Sequence, residues 1–514
     1  MFRLISLIIN DWTYLGHIPE GSLEFVPKDE IKKTELPYTT VLIGVNGTGK
    51  STLLSYIAKI FEDLKFAKDN NGKRNSTSIS FPYSVCYQIG KTKFQVTRKS
   101  QGLDFEAFKQ DKRRLKWIYN VSINEKPISD LKEIELPEQV IAVSYLPMDR
   151  FRQKRNLPDD FYQYLGLRHR SNAASPQYFL NNTLPLLFNY ISESKSVKFL
   201  KDILSFMAVD QNYLGLQLEY RYKKFFFTGQ LSTSKFQELF ENTKQFSERE
   251  GTSFAVEYYD RYLKQNTSLI DRIVKYLNVR SQQDNISVGK KSLLKFNLFD
   301  NLELIEELSL IKHLQKLDLL TSASLLFRKS ENIINSQNLS SGEFHFLTTM
   351  IAIQSTLKEN SLVLIDEPDT SLHPNWQMKY VHNLKKLFKK WNSTHFVMAT
   401  HSHFIISDLE NESSEIIGLK GQVPNVQATP LNLETYGWSP DEILYKVFEL
   451  RTTRNYFFEL DLLSLAKQLS SETKDYDEIK RIVNKLKKYT FSKEDPLNKL
   501  ILSAENILTS NDKS

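Results

Sequence analysis

Apolar positions in the first 60 residues fall in short runs separated by turns. LISLIIN and GSLEFV have strand character, and TTVLIG runs directly into a glycine-rich loop. The period then changes. In KSTLLSYIAKIFEDL, Leu53, Leu54, Ile57, Ile60 and Phe61 recur at helical spacing, so a helix follows the loop. Residues 78–125 read as β-rich. SISFPYSVCYQIG, TKFQVTRK and LKWIYNVSINEK predict strands, the last with a turn at Asn-Glu-Lys. QVIAVSYLP is apolar almost throughout and closed by proline, which predicts a strand buried on both faces.

After Asp149 the chain becomes polar and aromatic, with basic clusters, and residues 180–320 carry helical periodicity. No heptad series is sustained, which excludes a long coiled coil. SASLLFRK returns to strand character, and residues 341–405 alternate helix, strand, helix, strand. From Tyr436 the chain is helical again. YGWSPDEIL carries a helix start: Ser439 as cap, Pro440 in the first position and Glu442 closing a capping box.

The length of 514 residues allows several domains. The single cysteine, Cys86, excludes an intrachain disulfide and a multi-cysteine zinc site, and suits a reducing, cytoplasmic setting. No apolar run reaches membrane-spanning length. MFRLISLIINDW meets charge and Trp12 where a leader would need small residues, so it reads as a strand and not a signal peptide. A net charge of +7 is mild for this length and permits a nucleic-acid partner without requiring one.

Candidate chemistry begins at Gly44-Val45-Asn46-Gly47-Thr48-Gly49-Lys50-Ser51. This is a phosphate-binding loop in its proper setting, after a strand and before a helix. The glycines let backbone N–H groups point inward at phosphate oxygens, and the helix start adds its positive dipole end. Lys50 supplies a point charge for the β and γ phosphates of ATP. Ser51 offers a hydroxyl to Mg²⁺, and Thr52 reaches the α phosphate.

SLVLIDEPDTSLHP is an apolar strand ending in Asp366-Glu367. Strand ends in open α/β sheets face the ligand crevice. Asp366 there would hold Mg²⁺ through water, and Glu367 would polarise the attacking water. Two adjacent carboxylates repel unless a cation lies near them. HFVMATHSHFI is another apolar strand, ending at His401, where an imidazole can hydrogen-bond the γ phosphate. His403 is expected to be structural and His395 to sit at the far end of the sheet. Asn335–Leu347, NSQNLSSGEFHFL, opens a further helix: Ser340 or Ser341 caps it, and Gly342 admits close approach of another backbone. Its tip is a second candidate anion site.

Gly44–Ser51, LSSGE, LVLIDEP, TSLHP and ATHS, in this order, resemble the ABC-type ATPases. The resemblance implies a fold: an α/β P-loop ATPase head with a mixed sheet, a large helical insertion and a helical C-terminal extension. The implied divisions are an N-terminal lobe over 1–150, the insertion over 151–320, the signature lobe over 321–435 and a partner-binding region over 436–514. It also implies that Ser340, Ser341, Gly342 and Glu343 complete the ATP site of a second copy. Ser371 and His373 would then lie in a loop crossing a homodimer or larger assembly. IDEPDTSLHPNWQ and VIAVSYLPMDRF are similar to the soluble ATPases of bacterial anti-phage defence, the OLD-like and Septu PtuA group. In that group a separate nuclease such as an HNH protein acts as effector. No Glu followed by an Asp-x-Asp strand stands out after His401, so the chain is not expected to cut nucleic acid itself.

Two departures from the family pattern accompany the match. No glutamine loop is evident after Val140–Tyr145, where Asp149 and Gln153 are the candidates. The adenine-stacking residue is unassigned among Trp12, Tyr14 and Tyr38. Basic clusters at Lys112–Lys116, Arg150–Arg155 and Arg168–Arg170, interleaved with Trp117, Phe151, Phe161, Tyr162 and Tyr164, fit either a nucleic-acid backbone or a solvated face balanced by Asp159 and Asp160. They keep open the alternative of a RecF- or SMC-like repair ATPase that grips DNA itself.

Overall fold

A computed structural model describes residues 1–11, 16–27, 34–72, 79, 81–100, 117–146, 148–153, 160–170, 173–174, 183–184, 186–187, 190–191, 197–220, 230–247, 254–283, 293–300, 305–407, 409–422, 425–431, 435, 437–447, 456–471, 473–489, 495 and 497–511. Two compact units emerge, Met1–Trp438 and Ser439–Ser514. Among the described residues no helix is long and apolar enough to cross a membrane.

The centre of the first unit is a seven-stranded sheet. Its order is Asn425–Pro430, Ser414–Gln422, Tyr38–Gly44, His395–Thr400, Leu362–Asp366, Val140–Ser144 and Tyr162–Gly166. Every neighbouring pair is parallel except the first, which makes the sheet mixed. Leu362–Asp366, Val140–Ser144 and His395–Thr400 are buried at every position. That is why they read as unbroken apolar runs and not as alternating ones. Parallel register brings the ends of three central strands level, so Gly44, Thr400 and Asp366 end side by side.

A six-stranded antiparallel sheet covers one side. It comprises Phe2–Asp11, Gly16–Glu24, Tyr83–Ile89, Thr92–Ser100, Trp117–Ile123 and Lys126–Ile128. The Asn-Glu turn expected in the last hairpin is present, with both residues at positive φ, the geometry a tight two-residue hairpin needs. The Lys50–Asp69 helix lies between the two sheets and buries Leu53, Leu54, Ile57, Ile60 and Phe61 at 1% exposure or less. Each such side chain is worth roughly 1.5–3 kcal/mol of burial. His395 is fully buried at the start of its strand, far from the glycine loop. Its Nδ1 accepts from Leu4 N at 3.0 Å and its Nε2 meets Thr40 Oγ1 at 2.9 Å, pinning three strands together.

Two features correct the boundaries read from the pattern. Tyr162–Gly166 lies past the division at 150 yet forms the edge strand of the central sheet, because Val140–Ser144 recruits it in parallel register. The region over 151–320 contains the expected helices Thr233–Ser247, Thr267–Gln283 and Ile305–Lys316, but is not purely helical. Leu214–Tyr220 and Leu293–Asn297 pair with Leu320–Lys329 and Asn332–Asn335 in a four-stranded antiparallel sheet. Each of those two strands is short and bounded by helical sequence, so its period of two is swamped in any longer window.

The second unit packs Tyr456–Ser470, Tyr476–Leu486 and Leu497–Asn511 around Leu465, Ile479, Ile482, Leu486 and Ala504. It opens with the helix Pro440–Lys446, whose capping box joins Ser439 and Glu442 as the sequence indicates.

Candidate functional site

The glycine loop leaves its strand at Gly44 and enters the helix at Gly49. Gly47 and Gly49 have φ of 88° and 82°, a left-handed conformation that costs glycine little. Gly49 caps the helix without a side-chain hydrogen bond, so the first-turn N–H groups have no side-chain cap. Asn46 and Gly47 are exposed, while Thr48 is buried and its hydroxyl donates to Val45 O at 3.0 Å. Thr52 follows in the first helical turn.

Lys50 folds back over this loop. Its Nζ donates to Gly44 O at 2.8 Å and lies 2.9 and 3.2 Å from the two ring nitrogens of His401. His401 Nε2 is 3.1 Å from Glu367 Oε1. With Nε2–H donating to Glu367, the ring nitrogen left to accept from Lys50 is Nδ1, at 3.2 Å, a tautomer assigned from the Glu367 contact. Burial pushes the Lys50 pKa down to about 8, against the pull of Glu367, Asp366 and Asp369. The ammonium therefore stays mainly charged at neutral pH.

Ser51 Oγ donates to Asp366 Oδ1 at 2.9 Å. Asp366 Oδ2 is buried without a hydrogen-bond partner. Burial raises the Asp366 pKa to about 7; Glu367 and Asp149 add to the rise, while Ser51 and Lys50 oppose it. A buried carboxylate oxygen left bare beside a serine hydroxyl suits a hard cation. Among the described residues no group of three or more His, Cys, Asp and Glu gathers to hold a metal. A cation at Ser51 and Asp366 would accordingly draw its remaining ligands from phosphate and water.

Glu367 leaves the strand with φ of 50°, and Ser371 follows at 66°. A non-glycine residue held there costs on the order of 1–3 kcal/mol and persists where surrounding contacts fix it. Glu367 N donates to Ala399 O at 2.8 Å, and its carbonyl accepts from Thr370 N. The kink turns its side chain toward His401.

Ser340 caps the Ser341–Thr356 helix: its Oγ accepts from Glu343 N at 3.2 Å and Glu343 Oε2 accepts from Ser340 N at 2.9 Å. The Glu343 carboxylate is thus engaged in its own helix cap. The close approach at Gly342 comes from within the same chain, since a Cβ there would strike the Ser371 carbonyl oxygen. His373 Nδ1 caps the short helix Pro374–Met378 by accepting from Asn375 N at 3.3 Å. His403 packs its ring against Phe404.

Two further carboxylates stand near the site: Asp149, one of the two glutamine-loop candidates, and Asp369, two residues after Glu367. Asp149 is buried; it accepts from Tyr164 Oη at 2.5 Å, from Arg168 at 2.9 Å and from Phe151 N at 2.9 Å. Its influence on Asp366 places it nearer the chemistry than Gln153, which bonds Arg168 O at 3.3 Å. Asp369 is held by the Thr400 hydroxyl, and burial raises its pKa. An acid two residues after Glu367 was the available signal for Asp369.

Tyr38 is a core residue, under the Arg3 guanidinium and edge-on to His395, at the opposite end of its strand from the glycine loop. Trp12, Tyr14, Lys112–Lys116, Lys154, Arg155 and Asp159 lie outside the described residues. Of the arginines that are described, Arg152 pairs with Glu62 at 3.3 Å and Arg168 with Asp149.

Comparison with known proteins follows the same lines. A family described as AAA domain, putative AbiEii toxin, Type IV TA system matches residues 39–407. The chain is 22% identical over 400 residues to the Retron Vc95 probable ATPase of Vibrio cholerae, covering 74% of this chain and 68% of that one. It is 31% identical over 120 residues to the Septu protein PtuA of Bacillus thuringiensis, covering 22% of this chain and 28% of that one. Among solved structures, the Smc head domain with an extended coiled coil from Pyrococcus furiosus, bound to the C-terminal domain of ScpA, aligns at 12% identity with a TM-score of 0.32. That alignment covers 88% of this chain and 100% of that one. The resemblance to soluble ABC-type ATPases of the anti-phage defence group, drawn from the motifs, stands on the family and the two sequence relatives.

Proposed function

The chain belongs to the family described as AAA domain, putative AbiEii toxin, Type IV TA system, and from that premise we propose that this ATPase of the AAA/ABC kind dimerises on ATP and regulates a separate nuclease in anti-phage defence. The observation that carries the reading is convergence. Lys50, His401 and Glu367 meet through contacts of 2.9–3.2 Å, beside the Ser51–Asp366 pair, at the level ends of three parallel strands.

In this reading the loop N–H groups from Gly44 to Lys50 receive the phosphates, and Lys50 exchanges Gly44 O for the β and γ oxygens. Ser51 and Asp366 would hold Mg²⁺, which supplies charge neutralisation there. Glu367 takes the proton of the attacking water as the bond between γ-phosphorus and the ADP oxygen breaks. His401 orients Glu367 and hydrogen-bonds the γ phosphate. Ser341 and Gly342 meet the ATP of the second copy, with Ser371 and His373 at the crossing. The head spans the two lobes around the insertion, and residues 436–514 receive the effector.

Molar mass measured with and without a slowly hydrolysed ATP analogue tests the assembly. The mass is expected to double with nucleotide, and a co-expressed nuclease reading frame from the same locus is expected to co-purify. An unchanged mass removes the shared-site reading. Tight, salt-sensitive DNA retention by the chain alone would favour the DNA-gripping alternative.

The raised pKa of Asp366 predicts a pH dependence. A coordinating carboxylate must be ionised, and Asp366 holds its proton up to about 7. The gain in ATP affinity from Mg²⁺ is expected to be full above about pH 7 and to fall by up to about tenfold per unit below it. Without ligand the sign is opposite for stability: the folded chain keeps a proton that the unfolded chain sheds near pH 4, so this group's contribution declines as pH rises from about 4 to 7. Calorimetric ATP binding with and without Mg²⁺ at several pH values reads the first effect. In Asp366→Asn the difference between the two titrations should lose its slope.

A further inference from the structure

Gln377 closes the IDEPDTSLHPNWQ stretch, on the short helix after the Asp-Glu strand, and has no role assigned above. Its Nε2 donates to Leu372 O at 2.8 Å and to Asp369 O at 3.3 Å. Its Oε1 accepts from Ser402 Oγ at 2.5 Å. One amide thus joins two carbonyls of the 368–373 loop to the residue after His401. A second link runs in parallel. The Thr400 hydroxyl donates to Asp369 and accepts from Ser402 N at 2.9 Å. Between the two carbonyls that Gln377 holds, the same loop presses the Ser371 carbonyl against Gly342 at the start of the Ser341–Thr356 helix. The strained φ of Ser371 needs such external fixing.

We infer that Gln377 is a positioning residue: a clasp that locks the 368–373 loop to the His401 turn, so that displacement of the signature helix start is felt by the imidazole that holds Glu367. The inference rests on the proposed two-copy ATP site and names the regulation of that site. The amide chemistry is specific. A bidentate donor facing two carbonyls and an acceptor facing a hydroxyl cannot be replaced by a carboxylate, whose charge would oppose both carbonyl oxygens.

Three variants test this: Gln377→Met, Ser402→Ala and Gln377→Glu, each with ATP binding and turnover measured. Gln377→Met is expected to keep ATP affinity within about twofold and lower kcat about 10- to 100-fold through misplacement of His401. Ser402→Ala removes the Oγ–Oε1 bond from the other side, along with the acceptance from Phe404 N at 3.1 Å, so the double variant should lose clearly less than the product of the two single losses. In Gln377→Glu the carboxylate faces both carbonyl oxygens, so kcat should fall at least as far as in Gln377→Met, again with ATP affinity retained. Multiplicative losses in the double variant, or wild-type kcat in both Gln377 variants, would overturn the clasp while the wild type hydrolyses ATP. A wild type that neither binds nor hydrolyses ATP would overturn the functional reading and the clasp with it.

Discussion

Glu367→Gln should cut ATP turnover by about 10²- to 10⁴-fold, the usual loss when a general base is removed, with ATP binding retained. The amide keeps the size of the side chain, and its oxygen can still accept from His401 Nε2, which lies 3.1 Å from Oε1. What it loses is the capacity to take a proton. The backbone kink at Glu367 is set by its N–H to Ala399 O and not by the side chain, so the substitution should leave the loop in place. If two copies close on ATP, blocked hydrolysis should hold them closed, and the doubled mass should persist long after ATP is supplied. Steady-state turnover and light scattering on the same preparation check both halves. Turnover at the wild-type rate would assign the base elsewhere, with Asp369 as the next carboxylate in line.

The second large effect belongs to Lys50→Ala, for which ATP binding should fall at least about 100-fold and turnover should vanish. Charge-assisted hydrogen bonds to phosphate are roughly twice as strong as neutral ones, and here they form in a partly buried loop. The loss has a second cause. Lys50 is the cation that Glu367, Asp366 and Asp369 all feel. Removing it leaves three neighbouring carboxylates without that compensation, which raises the Asp366 pKa further and makes a doubly charged metal pocket harder to form. Lys50→Arg should restore little, since a planar guanidinium cannot occupy the point-charge position between Gly44 O and the His401 ring. Titration calorimetry reads the affinity, and circular dichroism confirms that the variant folds.

Much of the head was legible from local pattern. The glycine loop, Asp366, Glu367 and His401 each end an apolar run, and strand ends in a parallel sheet gather on one edge. Position along the chain therefore became position in space through a single rule. The capping boxes at Ser340 and Ser439 were legible for a similar reason: a cap is made by residues three apart. The strands inside the insertion were not legible. Leu214–Tyr220 and Leu293–Asn297 owe their state to each other and to Leu320–Lys329, partners far away in sequence.

By itself, the order of residues determined the glycine loop, the acidic strand end, the histidine that ends the next strand and the helix caps, because each depends on groups within a few positions of one another. Only the tertiary structure decided that Tyr162–Gly166 completes the central sheet and that Asp149 stands near Asp366. It also decided that the backbone meeting Gly342 belongs to Ser371 of the same chain, and that Gln377 bridges Leu372 to Ser402. Those contacts join segments whose separation along the chain sets no distance between them, so packing alone brings them together.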